Sequence, residues 1–496
     1  MSATPPPPVS LDDVKIDPAW ALRVPAVLAL RRQVLPLACV DGKIFVACSD
    51  PSDTTALEAV ERFTGFPAVV THVERGSLQR ALQRVYAEPS RASRAANASG
   101  RQDTLAGADD PVALSSELLH AAILRQASDI HLEPTRDDLR VRLRADGMLE
   151  EYARLPLAAY MPLISRFKVL AGMDIAEKRA PQDGGFTHRY GPQPQRAVDL
   201  RVATLPTKYG ERMTLRLLAL QMESLDLKSL GFSPLDFARV EHFLEKPQGL
   251  ALLTGPTGSG KTTTLYACIR RLLTMAEWNI ITIEDPIEYD IPGVSQVEVD
   301  SADKVSFSKA LRSALRHDPD ILMIGEIRDP DTLDVAVKAA LTGHLVLATL
   351  HTNNAASAVT RLADMGLERY LISATLCLSL AQRLVRRLCP HCRTPRLMTA
   401  VEARTFGVPN LEGQTVYEPK GCVYCAGRGF AGRVGLFEIM SVNDSLAAQI
   451  AAGVQEEALN KEMRAQGVPS LMEDAAKKVL AGTTTVREAL ETTATR

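Results

Sequence analysis

The alternation of apolar and polar residues divides the chain into segments of different character. Residues 10 to 87 alternate strand-like runs such as KIFVACSD with helical runs such as TTALEAVERFTG, which predicts a small α+β domain over residues 1–87. The next stretch, residues 88–112, is rich in Ala, Ser, Gly and charge and holds almost no large apolar residue. Such a composition cannot bury enough surface to offset the entropy of ordering, so we expect a flexible linker here.

A second α+β domain is expected over residues 113–230. Asp110 and Pro111 suit the cap and the first position of a helix that runs through VALSSELLHAAILRQA. Short alternating runs such as LRVRLRADGMLEEY then predict strands around a second helix in YMPLISRFKVLAG. Arginine is unusually frequent on these strands.

The third segment, residues 231–385, predicts an α/β domain. Its strand-like runs LALLTG, NIITIED, DILMIGE and LVLATLH are strongly apolar and alternate with helical stretches. Such strands are typical of a parallel sheet that helices cover on both faces. Two C-x-x-C pairs follow within residues 386–428, and Ala-rich helical sequence fills residues 429–496.

Composition indicates an ordinary multidomain globular protein. The 496 residues, of which 46% are apolar and 23% charged, suffice for roughly three or four domains. No apolar run approaches the ~18 residues that span a bilayer, and the first residues lack a basic start and an apolar signal core, so we expect a cytoplasmic protein. The net charge of −2 gives no general electrostatic case for binding nucleic acid or an anionic membrane, although a local patch is compatible with it.

The segment GPTGSGKTTTLY follows the first of these apolar strands and matches the spacing G-x-x-x-x-G-K-[ST]. Glycines let backbone amides close around phosphate oxygens, and the following helix directs the positive end of its dipole at them. Lys261 supplies a mobile cation for the β- and γ-phosphates, and Thr262 carries a hydroxyl suited to Mg²⁺. The residues expected to bind the nucleotide here are Gly255, Pro256, Thr257, Gly258, Ser259, Gly260, Lys261, Thr262 and Thr263.

Hydrolysis further requires acidic residues at the ends of neighbouring strands, where they hold Mg²⁺ and orient a water molecule. Glu284, Asp285 and Glu288 follow one apolar strand, and Glu326 follows another. A single acidic residue in such a place is usually a solvated charge. Their occurrence together, downstream of the phosphate loop, favours a catalytic role.

The fourth apolar strand ends on His351, with His344 seven residues earlier. Alternation along a strand points these side chains to opposite faces, which disfavours a two-histidine metal site. His351 either senses the γ-phosphate or has a packing or surface role.

Four of the eight cysteines form two pairs, Cys389 with Cys392 and Cys422 with Cys425. Each pair offers two thiolates to one tetrahedral Zn²⁺, and four sulfurs leave no open position, so the metal would be structural. Redox chemistry is the alternative, and two matched pairs favour zinc. His391, inside the first pair, could also ligate the ion, but four thiols make it unnecessary.

Together these segments resemble the ATPases of type II secretion and type IV pilus systems, from about residue 10 onward. The resemblance is carried by the phosphate loop, the aspartate-box sequence TIEDPIEY, the Walker B sequence ILMIGEIRD and the histidine-box sequence TGHLVLATLHTN. Two further motifs, ASDIHLEP and EKRAPQDGG, add to it. It implies a RecA-like core that hydrolyses ATP with Mg²⁺, a PAS-like domain before it, and a tetracysteine zinc element that is absent from the retraction motors of the family.

The resemblance also implies roles for single residues. Glu288 would act as general base on the attacking water, and Glu326 would help to position Mg²⁺. Arg201 and Arg216, from the domain at 113–230, would reach the nucleotide phosphates. Further arginines that could approach a nucleotide or a neighbouring subunit, with a surface salt bridge as the alternative for each, are Arg312, Arg316, Arg328 and Arg433.

For the whole chain, the resemblance implies a homohexameric motor at the cytoplasmic face of the inner membrane. ATP hydrolysis would drive pseudopilus assembly and secretion across the outer membrane, with pilus extension as the alternative. The N-terminal domain would bind the cytoplasmic domain of an inner-membrane platform protein, near a polytopic platform protein. A nucleic-acid motor and a non-catalytic nucleotide switch are the rival classes; the near-neutral charge disfavours the first, and Glu288 with Glu326 the second.

Overall fold

The computed structural model describes residues 9–12, 14–50, 53–71, 73–86, 110–190, 196–218, 226–299, 306–407 and 411–494. They form two compact units. The first unit takes in the described residues before Met222, together with Leu388–Thr394 and Pro419–Ala431. The second takes in the described parts of Met222–Arg387, Pro395–Glu418 and Gly432–Arg496. Most of the linker predicted at 88–112 lies outside the described residues.

The N-terminal part of the first unit is a small α+β domain, in agreement with the apolar pattern. Its three-stranded sheet has the order β1-β2-β3, with β1 antiparallel and β3 parallel to β2. The helices pack on this sheet around a core that includes Leu37, Val46 and Leu82. Its elements are α1 (Pro18–Ala21), α2 (Ala26–Arg32), β1 (Val34–Val40), β2 (Lys43–Cys48), α3 (Thr54–Thr64), β3 (Ala68–Thr71) and α4 (Arg75–Tyr86).

A second α+β domain of the first unit is built on a six-stranded sheet. Asp110 caps its first helix by accepting hydrogen bonds from the amides of Val112 and Ala113, and Pro111 occupies the first helical position, as the sequence predicted. Neighbouring strands are antiparallel throughout, in the order β6-β5-β4-β9-β8-β7. The elements are α5 (Pro111–Leu124), β4 (Ala127–Pro134), β5 (Asp138–Ala145), β6 (Met148–Pro156), α6 (Leu157–Leu170), β7 (Gln182–Tyr190), β8 (Arg196–Thr207) and β9 (Gly210–Leu217).

The alternation along β5 explains why arginine is frequent in this domain. Apolar side chains of the strand are fully buried, whereas every second residue is only half-buried. The arginines at these alternate positions therefore lie on the face opposite the core. The buried set is Leu139, Val141, Leu143 and Ala145, and the arginines are Arg140, Arg142 and Arg144.

The second unit contains a seven-stranded sheet in the order β12-β11-β13-β14-β10-β15-β18. The pairs of β10 with β14 and β15, of β11 with β12 and β13, and of β13 with β14 are parallel. Its strands are β10 (Gly249–Thr254), β11 (Ile280–Glu284), β12 (Ser295–Glu298), β13 (Ile321–Ile324), β14 (Leu345–Leu350), β15 (Leu376–Leu388) and β18 (Phe430–Ser441). The helices among them are α7 (Pro234–Leu244), α8 (Lys261–Met275), α9 (Phe307–Ala314), α10 (Pro330–Leu341), α11 (Ser357–Asp364) and α12 (Arg369–Thr375).

Burial of this sheet on both faces explains the continuous apolar runs. Leu250 and Leu252 of β10 belong to one core cluster, while Ala251 and Leu253 belong to another. Strand β13 divides its residues between the same two clusters. The prediction of parallel strands between helical layers is therefore confirmed.

The rest of the second unit consists of a two-stranded sheet and a set of C-terminal helices. The sheet pairs β16 (Thr394–Leu397) with β17 (Thr415–Glu418), with α13 (Ala400–Thr405) between them in the chain. The last helices are α14 (Asp444–Ala452), α15 (Glu456–Ala465), α16 (Leu471–Leu480) and α17 (Val486–Thr493). None of the helices in the described ranges combines the length and the apolarity that crossing a bilayer requires.

Candidate functional site

The phosphate loop joins the fully buried strand β10 to helix α8. Gly260 stands at the N-cap of this helix with φ of 89° and offers no side chain to its amides. The first N–H groups of a helix have no partners within the helix, and the helix dipole places positive charge beside them. This end of α8 is therefore shaped to receive an anion.

Gly255 allows the loop to pass close to the neighbouring strand β15. Its φ of 145° is one that residues with a side chain rarely adopt. A Cβ atom at this position would lie 2.5 Å from the carbonyl oxygen of Gln382 and 2.6 Å from Oγ of Ser259. The first glycine of the motif is thus required by contact as well as by backbone conformation.

Lys261 turns its side chain back across the loop. Its Nζ donates hydrogen bonds to the carbonyl oxygens of Gly255, at 2.7 Å, and Pro256, at 3.1 Å. Burial lowers the pKa of Lys261, an effect that the negative charge of Glu326 opposes. The ammonium group is consequently held in the mouth of the loop, where the sequence placed it.

The aspartate-box carboxylates occupy two different environments. Glu284, at the end of β11, is buried and accepts hydrogen bonds from the Thr282 hydroxyl at 2.6 Å and the Gln296 amide at 3.0 Å. Glu288 is half-buried in the loop that follows. Glu284 is therefore a structural group with satisfied oxygens, and Glu288 is the more accessible of the two carboxylates.

Tyr266 connects the phosphate-loop helix to this box, and sequence reasoning missed it. Its hydroxyl donates to Glu284 Oε2 and accepts the backbone N–H of Glu288 at 3.3 Å. Burial, together with the bond to Glu284, raises the pKa of Tyr266, so the hydroxyl keeps its proton and donates it. A tyrosine five residues after the motif lysine was the only signal in the sequence, and such a residue is equally typical of a hydrophobic core.

Glu326 follows β13 and lies at the centre of a charged cluster. Its Oε1 accepts from Arg328 Nη2, and its Oε2 lies 3.4 Å from Nε2 of His351, which follows β14. Arg328 also reaches Oδ2 of Asp285 at 3.2 Å. Burial alone would raise the pKa of Glu326, but Arg328 and His351 leave it below its ordinary value. The ends of β11, β13 and β14 are thus linked through charged side chains.

The two histidines of the histidine box lie at opposite ends of β14. His344 precedes the strand and places Nδ1 2.9 Å from the carbonyl oxygen of Ala339, whereas His351 lies beside Glu326. They share no site.

The remaining predicted arginines are distributed over both units. Arg201 and Arg216 are cross-strand partners on β8 and β9 of the first unit, and Arg216 Nε lies 3.0 Å from Asp129 Oδ1. The phosphate loop belongs to the second unit. Arg316 donates to the carbonyl oxygen of Arg312 at 3.0 Å near the end of α9, and Arg433 is exposed on β18.

The four paired cysteines converge in the first unit. Sulfur atoms of Cys389 and Cys422, and those of Cys392 and Cys425, lie 3.8 Å apart, and all four lie within 4.8 Å of one another. A tetrahedron with Zn–S bonds of about 2.3 Å has sulfur–sulfur edges of about 3.8 Å, whereas a disulfide requires about 2.05 Å. Among the residues that the structure describes, no other group of His, Cys, Asp and Glu approaches a metal site.

Backbone amides support this cluster in the way that thiolates require. The amide of Gly429 donates to Cys425 Sγ at 3.1 Å, and the amide of Gly421 donates to Cys392 Sγ at 3.3 Å. Such donors stabilise negative charge on sulfur. The donor set therefore fits zinc.

The cysteine element packs on the N-terminal domain. Val423 belongs to that domain's core cluster, and the amide of Lys15 donates to the carbonyl oxygen of Tyr424 at 3.2 Å. The Tyr424 ring stacks on His391 with centroids 3.8 Å apart, which joins the two cysteine pairs. No pattern in the sequence predicted this packing.

A family profile described as "Type II/IV secretion system protein" matches residues 106–491. The chain belongs to this family. A second profile, the MshEN domain, matches residues 5–92. Membership, together with the phosphate loop, makes the chain a secretion-type ATPase that hydrolyses ATP, as the sequence motifs predicted.

Curated relatives in this family fall into two named groups. The type II secretion system protein E of Pseudomonas aeruginosa is 40% identical over 97% of this chain and 98% of its own length. The type IV pilus assembly ATPase PilB of Thermus thermophilus is 39% identical over 96% of this chain and 55% of its own length. The resemblance to secretion ATPases, with pilus-assembly ATPases close by, is therefore confirmed.

Two solved structures share the fold. The pilus retraction motor PilT, determined with bound ADP, superposes with a TM-score of 0.53 at 28% identity, over 76% of this chain and 95% of PilT. The ATPase DotB of Legionella pneumophila gives 0.57 at 20% identity, over 79% and 96% of the two chains, and shows the fold alone. The predicted P-loop core preceded by an α+β domain is confirmed.

Proposed function

We propose that this secretion-family ATPase works as a homohexameric motor of type II secretion, using ATP hydrolysis to drive pseudopilus assembly at the cytoplasmic face of the inner membrane. The single observation that supports it most is that Glu326, His351 and Arg328 link three strand ends, and that the charge of Glu326 acts on Lys261 of the phosphate loop. Full-length similarity to a type II secretion system protein E supports protein secretion as the process that ATP hydrolysis drives. A PilB relative of nearly equal identity keeps pilus extension as the second candidate.

Binding begins at the phosphate loop. Residues Gly255 to Thr263 surround the triphosphate with backbone amides, and the Lys261 ammonium leaves its two carbonyl partners for the β- and γ-phosphates. The Thr262 hydroxyl and Glu326 would hold Mg²⁺, which neutralises phosphate charge when bound. The structure of PilT was determined with bound ADP, which supports nucleotide binding by this chain.

Cleavage is assigned to the aspartate box. Glu288 accepts a proton from water while the water oxygen bonds to the γ-phosphorus and the bond from that phosphorus to the β-phosphate oxygen breaks, which yields ADP and inorganic phosphate. Tyr266 holds the backbone of Glu288 against α8. His351 contacts the γ-phosphate and reports its loss to Glu326.

A motor needs its nucleotide to contact more than one rigid domain, because the loss of the γ-phosphate can then change the preferred arrangement of those domains. Arg201 and Arg216 are cross-strand partners, and their guanidiniums suit a phosphate contact because each is planar and permanently charged. Arginines assigned to a phosphate or to the neighbouring subunit of the ring are Arg312, Arg316, Arg328 and Arg433. The N-terminal domain binds the cytoplasmic domain of an inner-membrane platform protein near a polytopic platform protein, and no nucleic acid takes part.

Zinc has a structural role in this proposal. Cys389, Cys392, Cys422 and Cys425 would hold it with four sulfurs, so that it lends folding free energy to the cysteine element without an open position for substrate.

Complementation of a strain that lacks the gene for this protein tests the proposed role in secretion. Wild-type protein should restore the release of secreted enzymes into the medium, Lys261→Ala should not, and Lys246→Ala, a half-buried lysine outside the phosphate loop, should behave like wild type. Restored surface pili with no restored secretion would favour pilus extension instead.

A further inference from the structure

Strand β15 carries a second cation past the phosphate loop. It pairs in parallel with β10 as far as Thr254 opposite Ala381, and it continues after β10 has ended. Residues 382 and 383 therefore run alongside the first glycine of the loop. A Cβ on Gly255 would lie 3.2 Å from Nη1 of Arg383, which places this guanidinium against the loop backbone.

The Arg383 guanidinium is held by two neutral carbonyl oxygens, one on its own strand and one in the loop after β14. Its Nη1 donates to the carbonyl oxygen of Gln382 at 3.1 Å, and its Nη2 donates to the carbonyl oxygen of Asn353 at 3.1 Å. Asn353 lies two residues after His351, in the loop that follows β14. Arg383 thus spans the distance from the phosphate loop to the histidine-box loop.

No ion pair within the described ranges includes Arg383, although the side chain is half-buried. Arg386, three residues along the same strand, pairs with Glu488 at 2.6 Å. Burial lowers the pKa of Arg383, and the charge of Glu438 opposes this effect. A partly desolvated charge without an acidic partner is costly unless a ligand supplies the countercharge.

The positive charge of Arg383 also affects the pKa of Lys261. After burial, which is the largest cause, the positive charge of Arg383 is among the effects that lower the pKa of Lys261. Two positive groups therefore lie near one loop, with Glu326 as the acidic group acting on Lys261. A bound triphosphate would relieve their repulsion, since it brings about four negative charges to this place.

We propose that Arg383 is a phosphate-binding residue of the same chain, whose guanidinium exchanges its carbonyl partners for oxygens of the terminal phosphate of ATP. The exchange would release Asn353 and with it the loop after His351, so that the histidine box is free to adjust only when a triphosphate is present. A planar fork can contact phosphate through two parallel N–H groups, which a lysine cannot reproduce. This inference rests on the proposed nucleotide site at Gly255–Thr263.

Nucleotide binding to the full-length protein tests the role. Affinities for ADP and for a non-hydrolysable ATP analogue are measured with Mg²⁺ for wild type, Arg383→Gln, Arg383→Lys and the control Arg387→Gln, an exposed arginine on the same strand. Loss of a charged contact predicts that Arg383→Gln binds the ATP analogue about tenfold or more weakly while ADP binding changes less than about threefold. Arg383→Lys should show an intermediate loss, and Arg387→Gln none.

Equal weakening of both nucleotides, or unchanged binding of both, would overturn the proposal. If Arg383→Gln does not fold, as judged by circular dichroism, the selective loss in Arg383→Lys decides the matter. Lys261→Ala tests the nucleotide site on which this inference rests. If Lys261→Ala binds both nucleotides like wild type, the assignment of the site itself fails. If Lys261→Ala loses nucleotide binding but Arg383→Gln weakens ADP and the ATP analogue equally, only the role of Arg383 is refuted.

Discussion

Nε2 of His351 lies 3.4 Å from Oε2 of Glu326, which joins the ends of the neighbouring strands β13 and β14. Each strand is buried up to its last residue, so these two side chains are placed by the sheet itself. The close packing of the two strands therefore holds this contact in place.

His351→Gln should reduce ATP turnover about tenfold or more while nucleotide affinity changes little, because the imidazole is assigned to the γ-phosphate during cleavage rather than to ground-state binding. Steady-state phosphate release and equilibrium binding would be measured on the same preparations. His344→Gln, at the other end of β14, serves as the control and should keep wild-type turnover. Equal effects of the two substitutions would contradict the assignment.

Tyr266→Phe should weaken both catalysis and stability. The variant removes the hydroxyl shared by Glu284 and the amide of Glu288, which leaves a buried carboxylate one donor short at a cost of about 1 to 3 kcal/mol. Urea unfolding should show this loss, and turnover should fall severalfold because Glu288 is less well fixed. Tyr209→Phe, an exposed tyrosine of the first unit, should change neither quantity. A Tyr266→Phe protein of unchanged stability would be incompatible with the bridge.

Cys389→Ser should lower the zinc content of the purified protein and loosen the N-terminal domain. The second effect follows because Val423 and Tyr424, which lie between two of the cysteines, pack on that domain. Elemental analysis reports the metal, and hydrogen exchange over residues 9–86 reports the packing. Cys377→Ser, outside the cluster, is the matched control. Zinc loss with unchanged exchange in the N-terminal domain would show that the cysteine element does not support it.

Glu117 on α5 should make the stability of the second α+β domain depend on pH. Burial raises the pKa of Glu117 to about 7 from an ordinary value of 4.5. Between these values the folded state binds more protons than the unfolded state, so stability should fall as pH rises through this window. Glu117→Gln should therefore stabilise the protein at pH 8 by on the order of 2 kcal/mol and much less at pH 4. Urea unfolding at both pH values would check this, with exposed Asp137→Asn as control; an equal gain at both would contradict it.

The sequence predicted the core of the second unit well because its strands are buried on both faces. Runs such as Gly249–Thr254 must then be apolar at every position, and a glycine-rich loop after one of them is a strong local pattern. The cap at Asp110 was predictable because the start of a helix depends on a few adjacent residues, which also form a local pattern.

Contacts between segments that are distant in the chain left no comparable local pattern in the sequence. Arg383 lies on a strand that continues beyond its partner, and nothing in LAQRLVRR shows that one arginine faces the phosphate loop while Arg386 pairs with Glu488. The packing of Val423 on the N-terminal domain likewise joins residues far apart in the chain. Such relationships depend on tertiary placement rather than on local propensity.

Phosphate release from ATP by purified, assembled protein with Mg²⁺ tests the central claim most directly, namely that the loop at Gly255–Thr263 binds the triphosphate and the aspartate box cleaves it. Wild type should release inorganic phosphate, Lys261→Ala should release none above background, and Glu288→Gln should bind ATP yet turn over about a hundredfold more slowly. The exposed Asp290→Asn, two residues from Glu288, should match wild type. Wild-type phosphate release by Lys261→Ala, or none by the wild-type protein under any condition of assembly, would contradict the account.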